Sequence, residues 1–506
     1  MFQKIGNYLL DHGPTITPLM YELENIVNTK LSSLITDIFS INNHIPVNPL
    51  LKKHQRLDLD ANSSIIFNPL TNKYTYITAA PAIKNLVISG GGAKGVILPG
   101  VFKAFEDHKI DGNISFRNQI DNVSGSSVGA LSASLLAVGM TAQDLIDATR
   151  PIEFKNLLGS GLGPVFKDGN PLIEFNQVHT QKSVLENLKK IFSNDDIENI
   201  SIEMIVEQLK NKAPHQANAI ANNIEQILKK ICREEPFSLT FEMLENLHIL
   251  EPKIFKSLTV TATCCENGTT FYFDALKTPH LDISIACRAS ASLPVILNPV
   301  TIKKELLSPG YDDILSDKAH LTFSDGGYFD NIPVKSMQEK QGEKIRGENG
   351  QNLQTLALVF DASEPSENAQ SPFFEAHQRK HTLYDSTNLM DRLVTDVFAR
   401  ILGGINTTES CSLAKEEGLE EIRENYAQRS IPLRISLSTM DFEKAKIFED
   451  EFIEQGYSQG RDYLALHQDE LIARTFDNFD ELLENIPNES QAQMTAQLHD
   501  FRKRCV

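Results

Sequence analysis

Apolar positions along this chain fall into two recurring patterns, and their order already outlines a fold. Short continuous apolar runs, Leu86-Val87-Ile88 ahead of Ser89 and Thr355 to Phe360, have the length and composition of buried strands, and Gln119 to Ser124 reads as a further strand that leads into a turn and a helix. Segments with apolar residues three and four apart predict helices over Gly95 to His108, Val128 to Val138, Val184 to Phe192, Ile202 to Leu209 and Ile220 to Ile231. Ser257 to Thr263 and Thr269 to Phe273 predict two strands joined by a turn at Glu266-Asn267-Gly268, a hairpin signal. Between Ile83 and Val138 the order strand, glycine turn, helix, strand, turn, helix is one βαβ unit. Its two turns then lie at the carboxyl ends of neighbouring parallel strands, where open α/β sheets place their sites.

The same pattern divides the chain. Residues 1–80 mix a helix over Leu19 to Phe39 with polar loops such as Ile41 to Pro49, and predict an N-terminal arm packed on the next domain. Residues 81–365 carry the α/β pattern, with a predominantly helical insertion at about 151–252 over the turns. From Ser363 to Pro372 the composition shifts to Ser, Glu and Pro, and residues 366–506 read as a helical, acidic C-terminal domain. Its clearest helix, Ser386 to Leu402, has one broad apolar stripe (Leu389, Met390, Leu393, Val394, Val397, Phe398, Ile401, Leu402) that suits either a bundle core or an interface.

Composition narrows the partners. A formal net charge of -19 over 506 residues argues against nucleic-acid binding and against bulk electrostatic adhesion to anionic lipid. The six cysteines show no C-x-x-C pairing and are too sparse for a disulfide framework, which favours a reducing compartment. No apolar run approaches the roughly 18 residues of a membrane span, and Met1 to Leu10 lacks a secretory apolar core. The expectation is a soluble protein, cytoplasmic or exported by a route that needs no signal peptide.

Candidate chemistry concentrates in the turns. Gly125-Ser126-Ser127-Val128-Gly129 fits G-x-S-x-G, a nucleophile elbow in which small residues flank a serine because the strained strand-to-helix turn tolerates no bulk. Ser127 is the candidate nucleophile, with Gly125 and Gly129 forming the elbow. Upstream, Gly90-Gly91-Gly92-Ala93-Lys94-Gly95 follows a strand, and its backbone N–H groups suit a single anionic oxygen. Downstream, Phe323-Ser324-Asp325-Gly326-Gly327 places an acid in a glycine turn after an apolar approach. Amides, hydroxyl and carboxylate together are the parts of acyl transfer.

Other readings of these residues are weaker. Gly90, Gly92 and Gly95 also fit a dinucleotide fingerprint, but the second strand ends in Ser124-Gly125-Ser126-Ser127 where that motif wants an acid. A Walker-type loop fails because no Gly-Lys-Ser/Thr follows. A histidine-containing triad would draw on His377, His381, His467 or His499, and His377 and His381 sit in a polar helical stretch that reads as a solvated face, not as a base or metal pair. Cys264-Cys265 reads as strand packing.

Gly90-Gly91-Gly92-Ala93-Lys94-Gly95, Gly125-Ser126-Ser127-Val128-Gly129, Ala289-Ser290-Ala291-Ser292-Leu293-Pro294, and Asp325-Gly326-Gly327 with Asn331-Ile332-Pro333, in that order, resemble the patatin-like phospholipases over about Ala82 to Phe360. The resemblance implies an α/β fold with a three-layer, mostly parallel central sheet and helices on both faces. It implies hydrolysis of phospholipid acyl esters by a Ser-Asp dyad, with neither cofactor nor metal: Ser127 as nucleophile, Asp325 as base, and an oxyanion hole at Gly90, Gly91, Gly92 and Ala93. The N-terminal arm and long acidic C-terminal extension further suggest the bacterial effector branch, acting on a phospholipid membrane surface with a host protein activator bound by the C-terminal domain. The alternative is a partner-binding module for a small GTPase or ubiquitin-like protein whose hydrolase activity is latent. Two departures stand out: Lys94 and Ser89 occupy positions where many members carry Arg and an acid, and a lysine lacks the planar bidentate fork of arginine.

Overall fold

The computed structural model describes residues 56–59, 63–110, 114–161, 166–193, 200–232, 238–294, 296–311, 318–340, 351–361, 421–422, 426, 429–467, 471–486 and 488–505. The helix expected at Leu19 to Phe39, the stretch Ser363 to Pro372 and the apolar stripe of Leu389 to Leu402 lie outside them, as do His377 and His381. Contacts divide the chain into Ala79–Ser363 with His381–Arg474, and Met1–Thr78 with Glu364–Lys380 and Thr475–Val506.

The smaller unit contains a sheet that the hydrophobic pattern did not announce. Strands β1 (Arg56–Asp58), β2 (Ser64–Asn68) and β3 (Lys73–Ala79) pair antiparallel, and Leu471–Phe476 completes the order beside β3. In the β2–β3 register Ile65 opposes Tyr76 and Phe67 opposes Tyr74, which puts all four on one face. They are buried with Phe476, Phe479, Leu482, Ile486, Leu498 and Phe501, the last five carried by helices Phe479–Asn485 and Asn488–Cys505 and the turn between them. The period-2 alternation is only a few residues long in each strand. Its closing partner lies 400 positions away, where Thr75 Oγ1 meets Thr475 Oγ1 at 3.4 Å.

In the larger unit the βαβ unit runs from β4 (Asn85–Ile88) through α1 (Leu98–Asp107) to β5 (Asn122–Ser126) and α2 (Val128–Ala137). Strand β5 starts three residues later than the apolar run suggested, because Phe116–Gln119 forms a short helix first. Helices Asn170–Phe192, Ile202–Leu209, Ala217–Cys232 and Phe241–Leu250 follow. Then come the hairpin β6 (Ser257–Cys264) and β7 (Thr269–Phe273), helix α3 (Ile283–Ser290), β8 (Val300–Lys303), β9 (His320–Ser324), β10 (Thr355–Asp361) and β11 (Ser430–Arg434). The sheet order is β11-β10-β4-β5-β6-β9-β8, with β7 on β6. Pairing is parallel from β11 to β6 and antiparallel at β9, β8 and β7. This is a mixed α/β fold with a mostly parallel central sheet. Every residue of β4 and of β6 is buried, as strands covered on both faces require.

The residues beyond 366 supply more than helices. Strand β11 is an edge of this sheet, and after α4 (Phe442–Ile447) helix α5 (Glu449–His467) packs on α1. The approach is close enough to need glycine: a β-carbon at Gly456 would lie 2.1 Å from Ile97 O, and one at Gly100 1.8 Å from Ile453 O. Among the described residues no helix is long and apolar enough to cross a membrane.

At the amino end of β6 the fully buried Lys256 makes no ion pair among the described residues; its Nζ donates to Pro252 O at 2.7 Å and Lys253 O at 3.1 Å. Burial pushes this amine down to about 7. The unfolded chain therefore holds an extra proton between pH 7 and the ordinary Lys value of 10.5, and stability rises with pH across that window. Lys256→Met removes this component, on the order of a few kcal/mol. Denaturant unfolding of both chains at pH 7 and pH 9 checks it: the rise is expected in the parent and absent in the variant.

Candidate active site

Ser127 occupies the single residue between β5 and α2, with φ 54° and ψ −125°. A non-glycine residue held there costs about 1–3 kcal/mol and persists only where its surroundings fix it. Small residues allow the crossing: a β-carbon at Gly129 would lie 2.3 Å from Ile88 O, and one at Gly125 2.3 Å from Gly129 O. The Ser127 N–H donates to Ser290 Oγ at 2.8 Å. Of the three serines in the turn only Ser127 is partly exposed; Ser124 and Ser126 are fully buried, and Ser124 Oγ pairs with Ser336 Oγ at 2.9 Å.

Asp325 leaves the end of β9, whose last residue Ser324 pairs with Thr263 of β6. Its side chain is 5% exposed, and Oδ1 accepts from Gly327 N–H at 2.8 Å. Its backbone is fixed from two sides, N–H donating to Ser292 O at 3.0 Å and O accepting from Thr263 Oγ1 at 2.9 Å.

The small-residue motif after α3 thus holds both turns. Ser290 receives the amide of Ser127, and Ser292, two residues on, receives that of Asp325. Ser292 is itself anchored by the buried Arg288, whose Nη1 donates to Ser292 Oγ at 2.5 Å while Nε and Nη2 reach Asp168 O and Nη2 reaches Asn298 O. Burial pushes that guanidinium down to about 10, so it remains charged at neutral pH. Among the described residues no hydrogen bond joins Ser127 Oγ to Asp325. Nucleophile and base pairs are often loose without substrate and tighten on binding.

Asn331 binds the glycine loop to this arrangement. Its Nδ2 donates to Gly90 O at 3.2 Å, its O accepts from Gly90 N–H at 3.1 Å, and its Oδ1 lies 2.5 Å from where a β-carbon would stand on either Gly90 or Gly327. The Gly90 position is in turn 3.1 Å from Ser127 Cβ, and the Gly327 position 2.9 Å from Asp325 Oδ1. One amide side chain therefore borders the loop, the serine turn and the acid turn together. Asn331, Ser290 and Ser292 were visible in the sequence as motif members, but their roles were not, since each is defined by a bond to a distant segment.

The loop offers fewer amides than its glycine content suggested. Gly90 N–H is used by Asn331, and Ala93 N–H donates to Thr439 O at 2.9 Å, so these two of the four expected donors shape the loop and do not face a ligand. The N–H groups of Gly91 and Gly92 have no acceptor among the described residues.

Beside Asn331, Asp330 accepts from Tyr272 OH at 2.5 Å, and burial pushes its carboxyl up to about 6. Between the ordinary 3.8 and about 6 the folded chain holds the extra proton, so stability falls as pH rises through that window. Asp330→Asn keeps an acceptor and removes the charge. The unfolding free energy at pH 6.5 minus that at pH 4 should be more positive in the variant than in the parent by on the order of 2 kcal/mol. Among the described residues no cluster of three or more His, Cys, Asp or Glu is placed to hold a metal ion.

The strained turn at Ser127, the glycine loop and the Asp325 turn thus meet around Asn331 at the end of the parallel strands. Residues 86–337 match the profile of the patatin-like phospholipases, and through that stretch the chain belongs to this family. It is 24% identical over 266 residues to an uncharacterised protein of Acanthamoeba polyphaga mimivirus, covering 50% of this chain and 70% of that one. Among solved structures it is similar to ExoU in the ExoU-SpcU complex of the Pseudomonas aeruginosa type III secretion system, with 18% identity, a TM-score of 0.48, and 92% and 67% of the two chains covered. It is also similar to VipD of Legionella pneumophila, with 18% identity, a TM-score of 0.45, and 91% and 80% covered.

Proposed function

We infer that the chain cleaves ester-linked fatty acids from membrane phospholipids through an acyl-enzyme on Ser127, with Asp325 as the base. The observation that carries this reading is the pair of bonds from Ser290 and Ser292, two residues apart, to the amides of Ser127 and Asp325. They support a common site for the two side chains. In the first step Asp325 accepts the Ser127 proton as Oγ attacks the ester carbonyl; the tetrahedral oxyanion rests on the amides of Gly91 and Gly92, and the lysolipid leaves with the proton. Water then attacks the acyl-serine, giving up a proton to Asp325, which passes it to Ser127 Oγ as the acyl–oxygen bond breaks and the fatty acid is released.

A carboxylate is a weak base for a serine hydroxyl, so this chemistry leans on preorganised amides, each worth roughly 3 kcal/mol. Incubation with phosphatidylcholine vesicles and mass analysis of products tests the reading. Fatty acid and lysolipid in equal amounts, lost in Ser127→Ala, are expected; undiminished release by the variant overturns it.

A further inference from the structure

The oxyanion loop is completed by a segment outside the family-matched stretch. The turn Ser438–Asp441 follows β11, about 100 positions beyond residue 337, and its Thr439 and Met440 are exposed. Thr439 O accepts the Ala93 N–H at 2.9 Å. Gly92 has φ +54°, and a β-carbon there would lie 2.3 Å from Thr439 O and 2.7 Å from Thr439 Cγ2. The peptide between Gly92 and Ala93 is therefore held in one plane from outside, and that plane sets the conformation of the neighbouring Gly92.

The turn is itself rigidly held. Asp441 Oδ2 accepts Ser438 N–H at 2.8 Å, Asp441 N–H donates to Ser438 O at 3.3 Å, and Asp441 opens helix α4. That helix is tied back by Lys444 Nζ to Ser436 O at 3.1 Å, and by Lys446 Nζ to Thr149 O at 3.2 Å and Arg150 O at 2.6 Å. Leu437, just before the turn, is buried.

We propose that the turn Ser438–Asp441 is a positioning element for catalysis, with the Thr439 carbonyl fixing the glycine loop so that the Gly91 and Gly92 amides face the developing oxyanion. This rests on the reading of Ser127 and the glycine loop given above. Thr439 and Asp441 do not touch substrate; they act through Ala93 and Gly92. A displacement of about 1 Å in such donors costs up to about 100-fold in rate, and its effect falls on the transition state more than on substrate binding.

The test is steady-state hydrolysis of phosphatidylcholine vesicles by the full chain carrying Asp441→Ala, Asp441→Asn or Thr439→Gly, alongside Ser127→Ala. Asp441→Ala is expected to lower kcat about 10- to 100-fold with KM within about threefold. Asp441→Asn, which keeps an oxygen for Ser438 N–H, is expected to restore kcat. Thr439→Gly removes an exposed side chain and loosens the backbone that presents the Thr439 carbonyl, with an expected loss of about 3- to 10-fold. Parental kcat in both Asp441→Ala and Thr439→Gly, with hydrolysis still dependent on Ser127, overturns the proposal alone. Hydrolysis that is absent from the parent, or that survives Ser127→Ala, overturns the reading beneath it.

Discussion

Replacing Ser127 by alanine is expected to lower the rate of fatty-acid release by about 10⁴-fold or more while leaving the unfolding curve close to that of the parent. That size follows from the proposed covalent mechanism, in which no acyl-enzyme forms without Oγ and only substrate binding and the Gly91 and Gly92 amides would remain to assist attack by water. The small structural effect follows from the site. Ser127 Oγ has no hydrogen-bond partner among the described residues, and the bond that holds this residue runs from its backbone N–H to Ser290 Oγ. Alanine keeps that bond. Neighbouring Ser124 and Ser126, fully buried, offer no substitute nucleophile. Product release from vesicles, measured beside thermal unfolding of both chains, checks the two halves of the expectation.

Asp325→Asn is expected to lower kcat by about 10³- to 10⁴-fold, again with an intact fold. The amide is isosteric, and its oxygen can still accept Gly327 N–H in the place of Oδ1. The backbone bonds to Ser292 and Thr263 do not involve the side chain at all. At the other oxygen the charge and the capacity to take a proton are removed. Asp325→Ala, by contrast, also abandons the Gly327 amide and mixes a structural loss with the chemical one. The comparison of kcat for the two variants at equal unfolding midpoints separates base from brace, and an Asn variant with parental kcat would remove Asp325 from the mechanism.

Much of the sheet could be read from the sequence because its strongest signals are local. Strands β4 and β10 contain continuous apolar runs, the β6–β7 hairpin announces itself at Glu266-Asn267-Gly268, and the elbow is spelled out in five consecutive residues. Strands β8, β9 and β11 and the sheet of the smaller unit are short, and their identity depends on partners far along the chain. The site divides in the same way. Residue types at Ser127, Asp325 and the glycine loop mark chemistry on their own, whereas the supporting bonds span long separations: 163 positions from Ser127 to Ser290 and 241 from Gly90 to Asn331. For the same reason the sequence overstated the number of loop amides without a protein acceptor. A run of glycines shows how many N–H groups the loop contains, and only the positions of Asn331 and Thr439 show which of them are already engaged.

The most direct measurement of the central claim is covalent. A long-chain alkyl fluorophosphonate mimics the tetrahedral intermediate and is captured by a serine only where a base and an oxyanion site act on it together. Intact-mass analysis followed by peptide mapping of the full chain should show one adduct, on Ser127, that is lost in Asp325→Asn and whose formation parallels the loss of vesicle hydrolysis. An adduct on another residue, or continued hydrolysis by chains fully modified at Ser127, would contradict the account.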